Sequence, residues 1–224
     1  MPIFDVSVAG VLDSYDKLKA AITEETDGRA NSSALDRFIK QAEGEIQIFL
    51  ARNPVRPMRT RTDITINAEY IDGPTDMVRP VSVEATSDSV KSRVPFVETE
   101  NLSAMQGKAL SDNKPQAFTR EGDELRFYPV PTSIYAGTLI YYARLPGISA
   151  ASSTNWLLAA YPHIYLAGAL YYAYRDEPDI EKASLMKGLF DEGLESLKLA
   201  YPNPENEVTL SVDSGLLQRR WQWQ

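Results

Sequence analysis

The chain has 224 residues, of which 43% are hydrophobic and 24% charged, as is typical of a globular protein with a substantial core. It contains no cysteine and one histidine, which excludes disulfides, thiolate catalysis and zinc fingers. The net charge of −8 argues against a protein that grips nucleic acid by its phosphates. An acidic channel lining would let DNA slide past, although ordinary solubility would explain the same charge.

Two helices joined by a short turn are predicted early in the chain, at about 11–25 and 33–52. In both segments apolar residues recur at steps of three and four, the spacing of a buried helical stripe. Gly28 stops the first helix, and Ser32 or Ser33 is the predicted N-cap of the second. Helices joined by so short a turn usually pack as an antiparallel hairpin.

A β region is predicted over residues 59–146, because the apolar period changes to two at Arg59, and residues 59–70 are predicted to form its first strand. Its last part predicts an antiparallel meander of three closely spaced strands, at 117–120, 124–130 and 138–145. Tyr141 and Tyr142 point to opposite faces of their strand, so at least one should meet another element. Residues 87–115 show no clean period, and only a short helix at 101–107 is predicted there.

Two further helices are predicted at about 162–175 and 180–201, with Pro162 well placed as a first helical residue. The expected fold class is therefore α+β and mainly helical. A helical hairpin stands at each end of the domain, and a small antiparallel sheet is inserted between them. The domain is predicted to span residues 1–204, followed by an extended arm at 205–224. No run of about 18 apolar residues occurs, so no membrane span is expected.

The sequence offers little for catalysis. It has no glycine-rich phosphate loop, and His163 stands alone at a helix start, where a surface or interface role suits it better than that of a base or metal ligand. A glycosidase needs only two carboxylates at a suitable distance, and acids are abundant. They lie in turns among basic residues, which favours solvated loops: Glu98, Glu100, Asp112, Glu121, Asp123 and Glu124.

Two basic clusters are candidates for contact with a partner. The first lies at the junction between the second helix and the first strand, and contains Arg52, Arg56, Arg59 and Arg61. It could contact an acidic protein surface or DNA phosphates, or serve solubility alone, and the net charge disfavours DNA.

The second cluster lies in the predicted arm and combines two arginines with two tryptophans, the residues most enriched at binding hot spots. Its residues are Leu216, Leu217, Arg219, Arg220, Trp221 and Trp223. The segment is too polar to seed a core. It is predicted to dock on another subunit, with an arm folded back on its own domain as the alternative.

One motif links the meander to the third long helix, and it has a family counterpart. Thr-Asn-Trp-Leu-Leu begins at Thr154, and Tyr-Pro-His-Ile-Tyr-Leu-Ala-Gly-Ala-Leu follows from Tyr161. This order resembles the adaptor, or head-to-tail connector, proteins of tailed bacteriophages, of the podovirus or siphovirus portal-adaptor type. The likeness is clearest over about 120–200. The matching residues, expected to place the third long helix against the sheet, are Asn155, Trp156, Leu157, Leu158, Pro162, Tyr165, Leu166, Gly168 and Leu170.

The resemblance implies a structural virion protein in the neck of the particle, assembled in the host cytoplasm. Such adaptors form a ring beneath the portal, usually of twelve copies, which extends the DNA channel and carries tail or nozzle proteins. DNA would pass through without sequence-specific binding, and the arm would engage the portal. No catalytic residue, metal or cofactor is expected. The alternatives are another head-completion or tail-terminator ring protein and, less favoured, a carboxylate-based carbohydrate-active enzyme.

Overall fold

The computed structural model describes residues 12–87, 90–105 and 114–201. Its helices are α1 (Tyr15–Glu25), α2 (Ser32–Arg52), α3 (Thr99–Met105), α4 (Trp156–Ala160), α5 (Pro162–Asp176) and α6 (Ile180–Ala200). Its strands are β1 (Arg59–Ile66), β2 (Tyr70–Asp72), β3 (Met77–Ser87), β4 (Val90–Pro95), β5 (Ala117–Glu121), β6 (Glu124–Tyr128) and β7 (Tyr135–Ala143). The 3-10 turn Arg56–Met58 connects α2 to β1.

The strands form two antiparallel sheets. The four-stranded sheet has the order β1-β7-β3-β4, and the three-stranded sheet has the order β2-β6-β5. β7 lies in the middle of the larger sheet, where Arg59 of β1 and Arg79 of β3 flank its Tyr142. β5 and β6 form a hairpin that closes at Gly122, whose φ of 65° suits a glycine.

The two sheets share one apolar core, which defines the β half of the molecule. Phe118 is fully buried and stacks on Phe127 with ring centroids 5.6 Å apart. From the larger sheet the core takes Ile66, Met77, Val83, Ala85, Val94, Tyr135, Leu139 and Tyr141. The guanidinium of Arg120 also joins the sheets, because it donates to the backbone oxygens of Met77 and Val78 at 3.2 and 2.9 Å.

The four long helices form a second core, which defines the helical half. α5 packs against α1, α2 and α6, and its Gly168 faces Ala42 and Phe190. Side-chain hydrogen bonds also connect the helices near their ends. The Tyr15 hydroxyl and the Lys19 ammonium both donate to Asp36, each at 2.6 Å, and this holds α1 on α2.

β7 joins the two halves through consecutive tyrosines. Tyr141 lies in the β core and Tyr142 in the helical core, and both are nearly fully buried. The Tyr141 hydroxyl donates to Asp76 at 3.0 Å. The expectation that one of this pair meets another element is confirmed.

The predicted fold class, mainly helical with one small inserted sheet, is wrong. The structure is an α+β fold in which 45% of the described residues are helical and 27% lie in strands, and seven strands in two antiparallel sheets are described. Residues 59–70 were expected to form one strand, but they divide between β1 in one sheet and β2 in the other. Local alternation cannot reveal this, because the partners of both strands lie far away in sequence.

The predicted meander is also wrong in its third strand. β5 and β6 pair as expected, but β7 crosses to the other sheet and pairs with β1 and β3. At α2 the N-cap is Asn31 rather than Ser32 or Ser33, because the Asn31 side chain accepts from the Ala34 amide at 2.9 Å. Within the described ranges, none of the helices has the length and apolar character needed to cross a membrane.

Candidate assembly site

The motif residues meet where the chain leaves β7 and enters the helical half. Asn155 is buried, and its side-chain oxygen accepts from the Leu158 amide at 2.9 Å, so it caps α4. Its amide nitrogen donates to the Pro146 carbonyl and to the Tyr165 hydroxyl, both at 2.7 Å. One side chain therefore ties the loop after β7 to α4 and α5.

The same bond network continues into α2 through Glu43. The Tyr165 hydroxyl donates to Glu43 Oε1 at 3.2 Å, and the Ile148 amide donates to that oxygen at 2.7 Å. Burial raises the pKa of Tyr165, and it also raises the pKa of Glu43 against the opposing effect of these two hydrogen bonds. We call Glu43, Asn155 and Tyr165 the polar joint.

The other motif residues pack around the polar joint. Leu157, Leu158 and Leu170 are buried, Trp156 and Leu166 are partly buried against the same core, and Pro162 is the first residue of α5. A Cβ on Gly168 would lie 2.8 Å from Phe190 Cε2 and 3.0 Å from Ala42 Cβ, so α5 approaches its neighbours closely there. The arrangement positions helices and presents no reacting group.

Glu43 and Glu45 lie close together on α2, but their pKa values are shifted in opposite directions. Two positions after Glu43, the Glu45 carboxylate accepts from the Tyr172 hydroxyl and from Lys187 of α6, the latter at 3.1 Å. Burial opposes ionisation of Glu45, but these hydrogen bonds outweigh it and lower its pKa. The ionised Glu45 therefore links α2 to α5 through Tyr172 and to α6 through Lys187.

The predicted basic patch lies on the surface beside the helical half. Arg52 ends α2, Arg56 begins the 3-10 turn, and Arg59 and Arg61 stand on the outer face of β1. All four side chains are exposed, and none has an ion-pair partner in the described part of the chain. Arg79 joins this face, because Tyr142 lies between it and Arg59 in register.

The sequence did not reveal Glu43 or Arg79 as members of these groups. Glu43 comes from α2, 122 residues before its partner Tyr165, and only its place beside the buried stripe position Ala42 hinted at partial burial. Arg79 joins the patch through the pairing of β7 with both β1 and β3. Both contacts depend on tertiary structure that periodicity does not encode.

The candidate catalytic groups remain dispersed. His163 is exposed in the first turn of α5, with its ring centroid 6.2 Å from that of Tyr161, and partial burial lowers its pKa. Glu121 is bound by Arg126 at 3.0 Å, together with Glu69 at 2.9 Å. No group of three metal-ligating side chains occurs among the residues that the structure covers.

Of the other carboxylates considered above, Glu124 lines an open surface pocket together with Asp63 and Asp72. Glu98, Glu100, Asp123 and Glu124 are exposed. Asp112 lies outside the described residues. So does the second basic cluster, made up of Leu216, Leu217, Arg219, Arg220, Trp221 and Trp223.

Comparison with known protein families gives a match over most of the chain. The model of the SU10 adaptor protein family matches residues 13–212, which include both halves of the molecule. No curated protein matches the chain. The family match confirms the resemblance to phage head-to-tail adaptors, which are structural proteins rather than enzymes. The chain therefore belongs to the SU10 adaptor protein family.

Proposed function

We propose that the protein forms a ring, of twelve copies, between the portal and the tail of a tailed phage. The ring extends the DNA channel and offers the platform on which tail or nozzle proteins assemble. The family match over residues 13–212 carries this proposal. As a phage structural adaptor the protein is a component of the virion, and we assign it to the neck, with assembly in the host cytoplasm.

The construction of the helical half supports a role as a scaffold. A ring subunit must hold its contact surfaces at fixed angles, since small errors accumulate around the ring and prevent closure. The polar joint fixes α2, α4, α5 and the loop after β7 with hydrogen bonds of 2.7 to 3.2 Å. Such networks specify one geometry because every member loses a partner when another moves.

The basic patch supports a protein partner. Its four exposed arginines lack partners among the described residues, and arginine is well suited to bidentate contact with carboxylates. We propose that Arg52, Arg56, Arg59 and Arg61 face acidic protein surfaces in the assembly. Arg52, at the end of α2, faces a neighbouring adaptor subunit, and the other three face the portal or a tail protein. The net charge of −8 disfavours DNA as the partner and suits a channel through which DNA passes without sequence-specific binding.

The aromatic segment 216–224 is proposed to dock on the portal. It combines Arg219, Arg220, Trp221 and Trp223, and tryptophan and arginine dominate the energetics of protein interfaces. The polar residues around them give the segment no means to form its own core. We therefore infer that this segment acts as a docking arm, with its two tryptophans and two arginines as the anchors on the portal.

Native mass spectrometry of the protein, alone and mixed with the cognate portal, tests the ring. We expect a multi-copy complex on the portal with twelve adaptor subunits. A chain that stays monomeric in both samples would overturn the proposal. Binding to a tail tube without binding to the portal would instead identify a tail-terminator protein.

A pair of double variants tests the arm in the same assay. Trp221→Ala/Trp223→Ala should weaken portal binding at least about tenfold per tryptophan, because hot-spot residues contribute about 2 kcal/mol or more. Gln222→Ala/Gln224→Ala alters the same segment without touching an anchor and should bind as the wild type does. If both double variants and a chain lacking residues 216–224 bound the portal with wild-type affinity, the docking role would be excluded.

A further inference from the structure

Two exposed helix faces in the helical half carry large apolar side chains that the fold does not use. Ile48 on α2 is 57% exposed, and Leu185 and Leu199 on α6 are 60% and 79% exposed. Single exposed apolar residues are common on protein surfaces. These residues differ in that each lies within a charged stripe of one sign.

The α2 face is basic. The residues of α2 that are exposed include three cations and no acid, and they recur at helical spacing on the side opposite the core. Arg37 is bound to Asp176 at 3.1 Å, whereas Lys40 and Arg52 have no ion-pair partner in the described ranges. We define the α2 face as Arg37, Lys40, Gly44, Ile48 and Arg52.

The α6 face is acidic. Along its outward stripe Glu181 and Glu192 have no ion-pair partner among the residues described, and Glu195 is held only by Lys198 of the same helix, at 3.4 Å. Leu185 and Leu199 lie on the same stripe, four residues after Glu181 and four residues after Glu195 respectively. We define the α6 face as Glu181, Leu185, Gly188, Glu192, Glu195 and Leu199.

Each face also has a glycine at its centre. Gly44 and Gly188 are exposed in the middle of long helices, and a Cβ on either would meet no atom within 4 Å. Glycine weakens a helix interior relative to alanine, and neither position needs one for the fold of a single subunit. A glycine at the centre of a helix face allows another helix to approach closely, which gives these residues a use between molecules.

We infer that the α2 face of one copy docks against the α6 face of the next copy in the ring. The charges are complementary, the apolar side chains supply the contact that excludes water, and the two glycines allow the helices to come close. The partner is a second copy of this chain, because both complementary faces are present on every subunit. The inference rests on the proposed ring and names the surfaces that close it.

The charge pattern also selects the symmetry of the contact. Pairing of two α2 faces would bring cations together, and pairing of two α6 faces would bring acids together, so a symmetric dimer through either face is disfavoured. The contact is therefore heterologous, from one face of a subunit to a different face of its neighbour. Repetition of such a contact gives a closed ring when the rotation between subunits closes.

Cysteine crosslinking in the assembled complex tests the inference directly, because the natural chain contains no cysteine. Gly44→Cys and Gly188→Cys are made as separate single variants, whose new side chains meet no atom of their own subunit. The two proteins are mixed, assembled with the portal, oxidised and run on a denaturing gel without reductant. We expect a disulfide-linked adaptor dimer in the mixture and little or none with either variant alone.

The outcomes separate the inference from the proposed function. An adaptor dimer with one variant alone, or no adaptor dimer in a complex that native mass spectrometry shows to be multi-copy, would overturn the assigned faces while leaving the ring. A link from Gly44→Cys or Gly188→Cys to the portal would assign that face to the portal and overturn the inference. Failure to form any multi-copy complex, with wild-type chains in parallel, would overturn the ring itself.

Charge reversal gives a second readout. Lys40→Glu/Arg52→Glu makes both faces acidic, and it should lower the yield of assembled complex at least tenfold while the monomer stays folded, since both residues are exposed. Adding Glu181→Lys/Glu192→Lys to the same chain reverses both faces and should restore assembly. Loss of assembly in the double variant without recovery in the quadruple variant would contradict the pairing.

Discussion

The helical half and the β half each have an apolar core, but the helical half adds a polar network at the edge of its core. Between the two sheets the packing is apolar, with Phe118 stacked on Phe127. At the boundary of the helical core the polar joint links the buried Asn155 and Tyr165 to the half-buried Glu43 by hydrogen bonds. An apolar core tolerates swaps that conserve volume, whereas removal of one member of a polar network leaves the others unsatisfied. The half that carries the inferred ring contacts is thus the one with the less forgiving geometry.

The largest expected effect is on the β half. Phe118→Ala should lower the free energy of unfolding by about 4 kcal/mol, because it removes a fully buried ring that touches both Phe96 and Phe127. Urea denaturation measures the change. Ile134→Ala, at a side chain that is 76% exposed, serves as the control and should stay within about 0.5 kcal/mol. A Phe118→Ala variant as stable as this control would show that the β core is not the close-packed unit described above.

The next effect tests the polar joint. Asn155→Ala should lower the free energy of unfolding by about 3 kcal/mol, because it removes the α4 cap and leaves the Tyr165 hydroxyl and the Pro146 carbonyl short of a partner. Ser153→Ala, two residues earlier and exposed, is the matched control. If both variants unfolded at the wild-type urea concentration, the joint would contribute nothing to stability and the contrast between the halves would disappear.

A smaller effect compares two glycines within the helical half. Gly168→Ala should destabilise the protein by about 1 to 2 kcal/mol, because the new methyl group would overlap Phe190 and Ala42. The cost of this overlap should exceed the gain in helix propensity from replacing glycine. Gly188→Ala meets no atom and should stabilise by about 0.5 to 1 kcal/mol. Thermal melts of the two variants should shift in opposite directions. Shifts of the same sign would contradict the close approach assigned to α5.

The smallest effect is a difference in pH dependence between the two glutamates of α2. The raised pKa of Glu43 means that the unfolded chain ionises it first, so its contribution to stability falls as pH rises from about 4 through the folded pKa. The lowered pKa of Glu45 means that its contribution is present above about pH 4 and is lost as pH falls through the folded pKa.

Urea denaturation of Glu43→Gln and Glu45→Gln over a series of pH values measures these slopes. As the pH rises from about 4 through the folded pKa of Glu43, Glu43→Gln should gain stability relative to the wild type. As the pH rises through the folded pKa of Glu45 to about 4, Glu45→Gln should lose stability relative to the wild type. Each variant serves as the control for the other, because both remove one carboxylate from the same helix. Parallel slopes would mean that burial does not distinguish the two sites.

The sequence predicts the long helices well because their signal is local. Leu35, Ile39, Ala42 and Ile46 mark the buried stripe of α2 without reference to any other element. β7 lacks such a signal, because its alternating pattern does not say that β1 and β3 flank it while β6 joins another sheet. The fold class was therefore mispredicted in the region where distant strands pair.

The same limit applies to the site. Asn155 and Tyr165 lie ten residues apart in one motif and could be singled out by family resemblance. Glu43, which accepts the hydroxyl of Tyr165, comes from the other end of the domain and carries no local mark of its role. The charge complementarity of the α2 and α6 faces likewise appears only when exposure separates the outward residues from the buried ones.

The placement of consecutive tyrosines in two cores has a mechanical consequence. Tyr141 anchors β7 in the core of the β half, and Tyr142 anchors it in the core of the helical half. Backbone hydrogen bonds to β1 and β3 hold the strand along both edges. A load that pulls the halves apart along this strand must shear two ladders of hydrogen bonds at once rather than unzip them one by one. Tension on one half of the molecule is therefore transmitted to the other through the central strand β7.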